Sequence, residues 1–106
     1  MEQEGTMYTY TTPTITCTLT GVDFASVDYV RIAIKGKNAS VLRTVDIADI
    51  DTEEGTAVVE LTQEETASLG AGQVAIQARI HYMDESVQAT NKVLKTMSEV
   101  LDKVVI

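Results

Sequence analysis

The segment Thr14-Ile15-Thr16-Cys17-Thr18-Leu19-Thr20 alternates polar and apolar side chains without a break. Three apolar side chains fall on one face and four threonines on the other, which is typical of a half-buried β-strand. Pro13 precedes the segment and has no N–H to donate, which suits the start of a strand or a sheet edge. We therefore predict a strand over residues 14–20, preceded by a short strand at residues 7–10.

Four further segments alternate in the same way and are predicted strands: residues 29–35, 41–47, 56–61 and 73–83. Gly36 and Asn38 supply turn residues between the first two, which predicts a hairpin. The weaker alternation of residues 41–47 predicts a bulge there. The side chains expected to face inward are Val30, Ile32, Ile34, Ala57, Val59, Leu61, Val74, Ile76, Ala78, Ile80 and Tyr82, while Gln73, Gln77, Arg79 and His81 are expected to face outward.

One short helix is predicted near residues 63–69. Thr62 is followed three residues later by Glu65, the spacing of a capping box in which each side chain accepts a hydrogen bond from the other residue's backbone N–H. Gly70 follows Leu69, where a glycine commonly ends a helix. We expect about two turns of helix and a loss of about 1 kcal/mol for Thr62→Ala.

The stretch after Ser86 has two interpretations. Residues 87–93 continue a sheet pattern, whereas the apolar side chains further on recur at helical spacing, which slightly favours a C-terminal helix. No glycine or proline follows Ser86, so a long strand and a strand followed by a helix both stay open. The residues with helical spacing are Val93, Met97, Val100, Leu101 and Val104.

Seven candidate strands joined by short turns predict an all-β fold. Strands do not alternate with helices, so an antiparallel β-sandwich is favoured over a parallel sheet. With 106 residues, 44% of them hydrophobic, the chain can bury one core, and we expect a single domain over residues 1–106. Its one cysteine, Cys17, excludes an intramolecular disulfide.

The charge balance bears on the class of partner. Sixteen acidic and eight basic side chains give a net charge of -8, the wrong sign for binding nucleic acid or an anionic membrane surface. The N-terminal residues lack the basic start and apolar stretch of a signal peptide, and no segment is apolar over the length that spans a bilayer. We expect synthesis in a cytoplasm, with no nucleic-acid or membrane partner.

An acidic stretch weakly resembles a calcium-binding loop. Asp49, Asp51 and Glu53 are followed by Glu60, eleven positions after Asp49. Gly55, however, stands at the seventh position rather than the sixth, and strand-like segments replace the flanking helices. We interpret the stretch as a solvated acidic loop and predict no metal site.

No constellation of catalytic side chains is present. His81 is the only histidine and lies on the outward side of its strand, which predicts a surface residue. Cys17 lies on an apolar face and is interpreted as a small buried hydrophobic side chain rather than a nucleophile. The sequence therefore predicts a protein that is not an enzyme, with no catalytic, cofactor-binding or metal-binding residues and no cofactor.

Two kinds of contact surface follow from the pattern. Tyr8, Tyr10, Tyr29 and Tyr82 would form a platform for carbohydrate if several of them shared an exposed face, although packing at the core and edges is the more economical use of them. Unpaired edge strands, which bind other strands through their backbones, are the better-founded surface.

Three segments resemble a family of small phage and prophage proteins that includes the N-terminal domains of baseplate upper proteins. They are Thr11-Thr12-Pro13-Thr14-Ile15, then Leu61-Thr62-Gln63-Glu64-Glu65-Thr66 leading to Gly72, and Val74-Ala75-Ile76-Gln77-Ala78-Arg79, with a Val104-Val105-Ile106 ending. The resemblance implies an immunoglobulin-like sandwich in tail or baseplate structure. It also implies that the chain ends in a strand, and that interpretation is adopted here over the helix.

The resemblance and the missing catalytic groups together predict a non-enzymatic structural component of a phage or prophage particle. Its expected partners are other tail or baseplate proteins, and self-association into a homo-oligomer stays open. Its expected location is the bacterial host cytoplasm during synthesis and then the virion. The alternative is a small carbohydrate- or cell-surface-binding module on the same fold.

Overall fold

The computed structural model describes residues 6–106 and confirms an all-β fold. The described part contains one α-helix, α1, two single-turn 3-10 helices at Phe24–Ser26 and Ile47–Asp49, and no helix long and apolar enough to cross a membrane. The α-helix spans Gln63–Leu69. The strands are β1 (Thr6–Tyr8), β2 (Thr14–Thr18), β3 (Val27–Lys35), β4 (Ser40–Asp46), β5 (Thr56–Glu60), β6 (Gly72–Tyr82), β7 (Val87–Ala89) and β8 (Val93–Ser98).

Two sheets form the sandwich. The larger has the order β1-β8-β6-β3-β4, with β7 pairing with β6 beyond the end of β8, and the smaller consists of β2 and β5. The second and fifth strands therefore form one sheet and the third, sixth and last strands lie in the other, which is the immunoglobulin-like arrangement. One pair departs from the antiparallel prediction, because β1 runs parallel to β8.

The core lies between the sheets and follows the predicted alternation. Ile32, Ile34 and Ile80 have no exposed surface, and Leu61, which directly follows β5, is equally buried. Tyr82, at the end of β6, is half-buried and packs against this core. The expected inward-facing residues of the strands therefore do face inward, because side chains two residues apart lie on the same face of a strand.

The helix closes one side of the sandwich. Glu65 N donates to Thr62 Oγ1 at 3.1 Å and Thr62 N donates to Glu65 Oε1 at 2.9 Å, which confirms the capping box. Gly70 ends the helix at φ +79°, a conformation that favours glycine. Leu69 is fully buried, and the buried Thr66 hydroxyl donates to the carbonyl of Thr11 at 3.1 Å, so the helix is held on the sandwich from its inner face.

The bulge is not where the sequence predicts it. The pairing of β3 with β4 is continuous from Tyr29 and Asp46 to Lys35 and Ser40. The shift in register lies between β3 and β6, at Val27 and Tyr29. The poor alternation of β4 has a different cause: Arg43 lies on its inward face, where it forms an ion pair with Glu65 of α1.

The C-terminal stretch contains strands and no helix. β7 and β8 both pair with β6 along the same edge and are separated by residues 90–92. The residues of β8 that face inward, Val93, Lys95 and Met97, are two apart, whereas the helical spacing arose from including Val100 and Val104 beyond the strand. The last regular element is the strand β8, as the adopted interpretation expected, but it ends at Ser98, and residues 99–106 have no regular secondary structure.

Candidate functional site

The strand β2 has one unpaired edge within the described part of the chain. Leu19 N donates to Gly55 O at 2.7 Å and Leu61 N donates to Pro13 O at 3.1 Å, so the odd-numbered residues of this segment direct their backbone groups toward β5. Backbone groups alternate in direction along a strand. The N–H and C=O groups of Thr14, Thr16 and Thr18 therefore point away from β5.

Opposite this edge, part of the inner face of β8 is uncovered. Met97 is 1% exposed, whereas Val93, which faces the same way, is 52% exposed. Within residues 6–106 the smaller sheet has two strands and does not extend over Val93. β1 covers only part of the outer edge of β8, since it pairs with Thr96 to Ser98.

A cleft of about 250 Å³ runs between these two uncovered elements. We call it the seam and define it by the inward-facing residues that line it. It continues past Thr18 and Thr20 toward the loop at Thr90 and Asn91. The defining residues are Ile15 and Cys17 of β2, Ile76 and Ala78 of β6, and Val93 and Lys95 of β8.

The seam contains one thiol and one cation. Cys17 is half-buried, and burial raises the pKa of its thiol, with a smaller opposing effect from Lys95. The thiol is therefore protonated at neutral pH, but Cys17 is half-buried on the wall of the cleft rather than fully buried as the sequence predicts. Lys95 is half-buried and forms no ion pair with any carboxylate of residues 6–106.

The acidic stretch is organised as a turn. The Asp51 carboxylate accepts hydrogen bonds from Glu53 N at 3.1 Å and Glu54 N at 3.0 Å. Glu60 lies four residues along β5 from Thr56, which pairs with Asp51, so about 13 Å separates it from the turn. Within residues 6–106 no three His, Cys, Asp or Glu side chains are grouped to hold a metal ion.

The structure does not bring the four tyrosines together. Tyr8 is paired with Ser98 near the start of β6, whereas Tyr29 is paired with His81 nine residues further along that strand, about 30 Å away. Tyr82 faces the core. A carbohydrate platform built from all four is therefore not formed.

His81 is not the plain surface residue that the sequence predicts. Its ring stacks on Tyr29 with centroids 4.7 Å apart, because β3 places Tyr29 directly opposite it. Its Nδ1 atom is buried and lies 3.4 Å from Asp28 Oδ2 without forming a hydrogen bond. Beside this stack, Arg31 and Arg79 face each other across the same strand pair.

No protein-family model matches the chain, and no curated protein matches its sequence. A cleft with uncovered apolar side chains beside a strand with free backbone donors and acceptors can accept another strand.

The sequence predicted free edges but not this seam, because nothing in the alternation of β8 shows that the facing sheet ends before Val93. The strand β8 itself has a weak signal, because the charged Lys95 lies on its inward face and the apolar Leu94, 56% exposed, lies on its outward face.

Proposed function

We propose that the chain is a non-enzymatic structural component of a phage or prophage tail or baseplate, acting through protein–protein contacts. The seam is the observation that carries this proposal. It offers backbone groups of Thr14, Thr16 and Thr18 for pairing and apolar surface at Val93 for burial. An assembly protein uses such features to bind an extended segment of its neighbour.

Two of the segments that resemble baseplate upper proteins lie at this site. Residues 11–15 lead into β2, which forms one wall of the seam, and residues 74–79 form the middle of β6, which contributes its floor. Two of the resembling segments thus shape the proposed contact surface, whereas residues 61–66 lead into α1 and do not line the seam.

Mass spectrometry of purified particles tests the proposal. Prophages are induced in the source bacterium, and tryptic peptides such as residues 80–92 are quantified in gradient-purified particles and in the lysate. We expect recovery in constant ratio to known tail proteins across the particle fractions. Abundant peptide in the lysate with none in the particles would contradict the proposal.

A proline variant asks whether the seam makes the contact. Thr16→Pro removes an N–H that points to the open edge and leaves the β2–β5 ladder intact, and proline is tolerated at such an edge. We expect Thr16→Pro to fold but to be lost from particles, and the control Thr16→Ala to be retained. Retention of folded Thr16→Pro at the wild-type level would exclude the seam as the contact.

A further inference from the structure

Residues 99–106, which we call the tail, present apolar side chains to solvent. Leu101 is 103% exposed, Val104 59%, Val105 45% and Ile106 93%. The tail has no regular secondary structure, and side-chain hydrogen bonds to Thr9 and Gln63 hold it on the surface. Several large apolar side chains exposed on one short segment are typical of a contact that is completed by another molecule.

The alternating side chains of the tail complement the side chains that the seam leaves unpaired or uncovered. In an extended conformation Val100, Asp102, Val104 and Ile106 fall on one face, so that face carries one carboxylate among apolar side chains. The seam carries one cation, Lys95, beside uncovered apolar surface at Val93. A strand with this face turned inward would pair Asp102 with Lys95 and bury Val104 or Ile106 near Val93.

The length of the tail is sufficient for this pairing. Its eight residues extend to about 26 Å, whereas the five residues of β2 span about 16 Å. The tail of the same copy is directed elsewhere, since Val100 N donates to Thr9 Oγ1 at 3.4 Å and Ile106 N donates to Gln63 Oε1 at 2.9 Å at the start of α1. The tail that occupies the seam therefore belongs to a second copy of the chain.

We propose that the tail of one copy adds as a strand along β2 of a second copy, with Asp102 opposite Lys95. This inference rests on the proposed assembly function and names the partner at the seam. The contact joins two different surfaces of the chain, so it forms either a reciprocal dimer or a head-to-tail ring.

Charge exchange between Lys95 and Asp102 tests the proposal. Sedimentation equilibrium of the full chain, from micromolar to millimolar concentration, measures mass above the 11.5 kDa of one copy. We expect Lys95→Glu and Asp102→Lys each to weaken association by about tenfold or more, and the double variant to restore it, because the two opposite charges then face each other again with their positions exchanged. Lys37→Glu, in the exposed β3–β4 turn, changes the net charge as Lys95→Glu does and should leave association unchanged.

The single cysteine reports where the contact forms. Cys17 lines the seam, so its alkylation by iodoacetamide, followed by intact-mass spectrometry, should slow as the wild-type chain associates and should not slow for folded Lys95→Glu. A wild-type chain that stays monomeric at millimolar concentration would overturn the proposal. So would association that leaves Cys17 equally reactive.

Two further outcomes separate this inference from the proposed function. Removal of residues 1–5 should leave both the association and the protection of Cys17 unchanged. If instead Cys17 is protected in the monomer and becomes reactive only after this removal, the N-terminus of the same chain occupies the seam and the proposal is wrong. If the chain is recovered in particles but does not self-associate, the structural role stands and the second copy is excluded as the partner at the seam.

Discussion

The strands on either side of the central β6–β3 pair each carry one inward-facing cation, and the two cations have different surroundings. Arg43 on β4 is paired with Glu65 of α1, whereas Lys95 on β8 has no carboxylate partner among residues 6–106. The helix covers the inner face of the sheet near β4, but the two-stranded sheet leaves β8 partly uncovered. We call these the closed side and the open side. The difference indicates that the closed side stabilises the fold and the open side is available for contacts.

The largest effect is expected on the closed side. Leu69→Ala should lower the free energy of unfolding by about 2–5 kcal/mol, because Leu69 has no exposed surface and its removal leaves a cavity. Urea denaturation followed by circular dichroism measures this change. The control Leu101→Ala changes the same side chain where it is fully exposed in the tail, and should be nearly neutral in the monomer. Equal losses for the two variants would contradict the comparison.

Two valines allow a matched test of the two sides. Val45 on β4 is 8% exposed and Val93 on β8 is 52% exposed, although both face inward. We expect Val45→Ala to cost about 1–2 kcal/mol and Val93→Ala less than half of that, because less apolar surface is lost from the interior. Thermal unfolding of dilute protein, where the monomer predominates, compares the two. A larger loss for Val93→Ala would show that the open side is already covered.

The helix cap gives a smaller effect on the closed side. Thr62→Ala should cost about 1 kcal/mol, since Glu65 N loses its acceptor, and Thr62→Ser should retain most of the stability because its hydroxyl can accept the same bond. Chemical denaturation measures both variants. A loss of the same size for Thr62→Ser would assign the effect to the lost methyl group rather than to the cap.

The strands and the helix could be predicted from the sequence because each has a strong local signal. Alternation predicts the ends of β2, β5, β3 and β6 to within two residues, and the capping box together with Gly70 predicts the ends of α1. The contacts that depend on which strands are neighbours could not be predicted. The stack of Tyr29 on His81 and the ion pair of Arg43 with Glu65 join residues far apart in the sequence. The seam forms because, within residues 6–106, no further strand pairs with the open edge of β2, and an absent neighbour leaves no local pattern in the sequence.

The smallest predicted effect concerns acid stability and the two cations. The hydrogen bond from Arg43 holds the pKa of Glu65 below its usual value, so the contribution of this carboxylate to stability is present at neutral pH and is lost as the pH falls through the lowered pKa. The stability difference between wild type and Glu65→Gln, at most about 1 kcal/mol at pH 7, should therefore shrink as the pH falls from the usual glutamate pKa of about 4.3 through the lowered pKa of Glu65. Arg43→Met should reduce the loss of stability that the wild type shows on acidification. Lys95→Met should leave that loss unchanged in dilute monomer, because no carboxylate of residues 6–106 is paired with Lys95. Denaturation midpoints measured across this pH range decide the matter: an acid-dependent effect of Lys95→Met would mean that the open-side cation already has a carboxylate partner in the monomer.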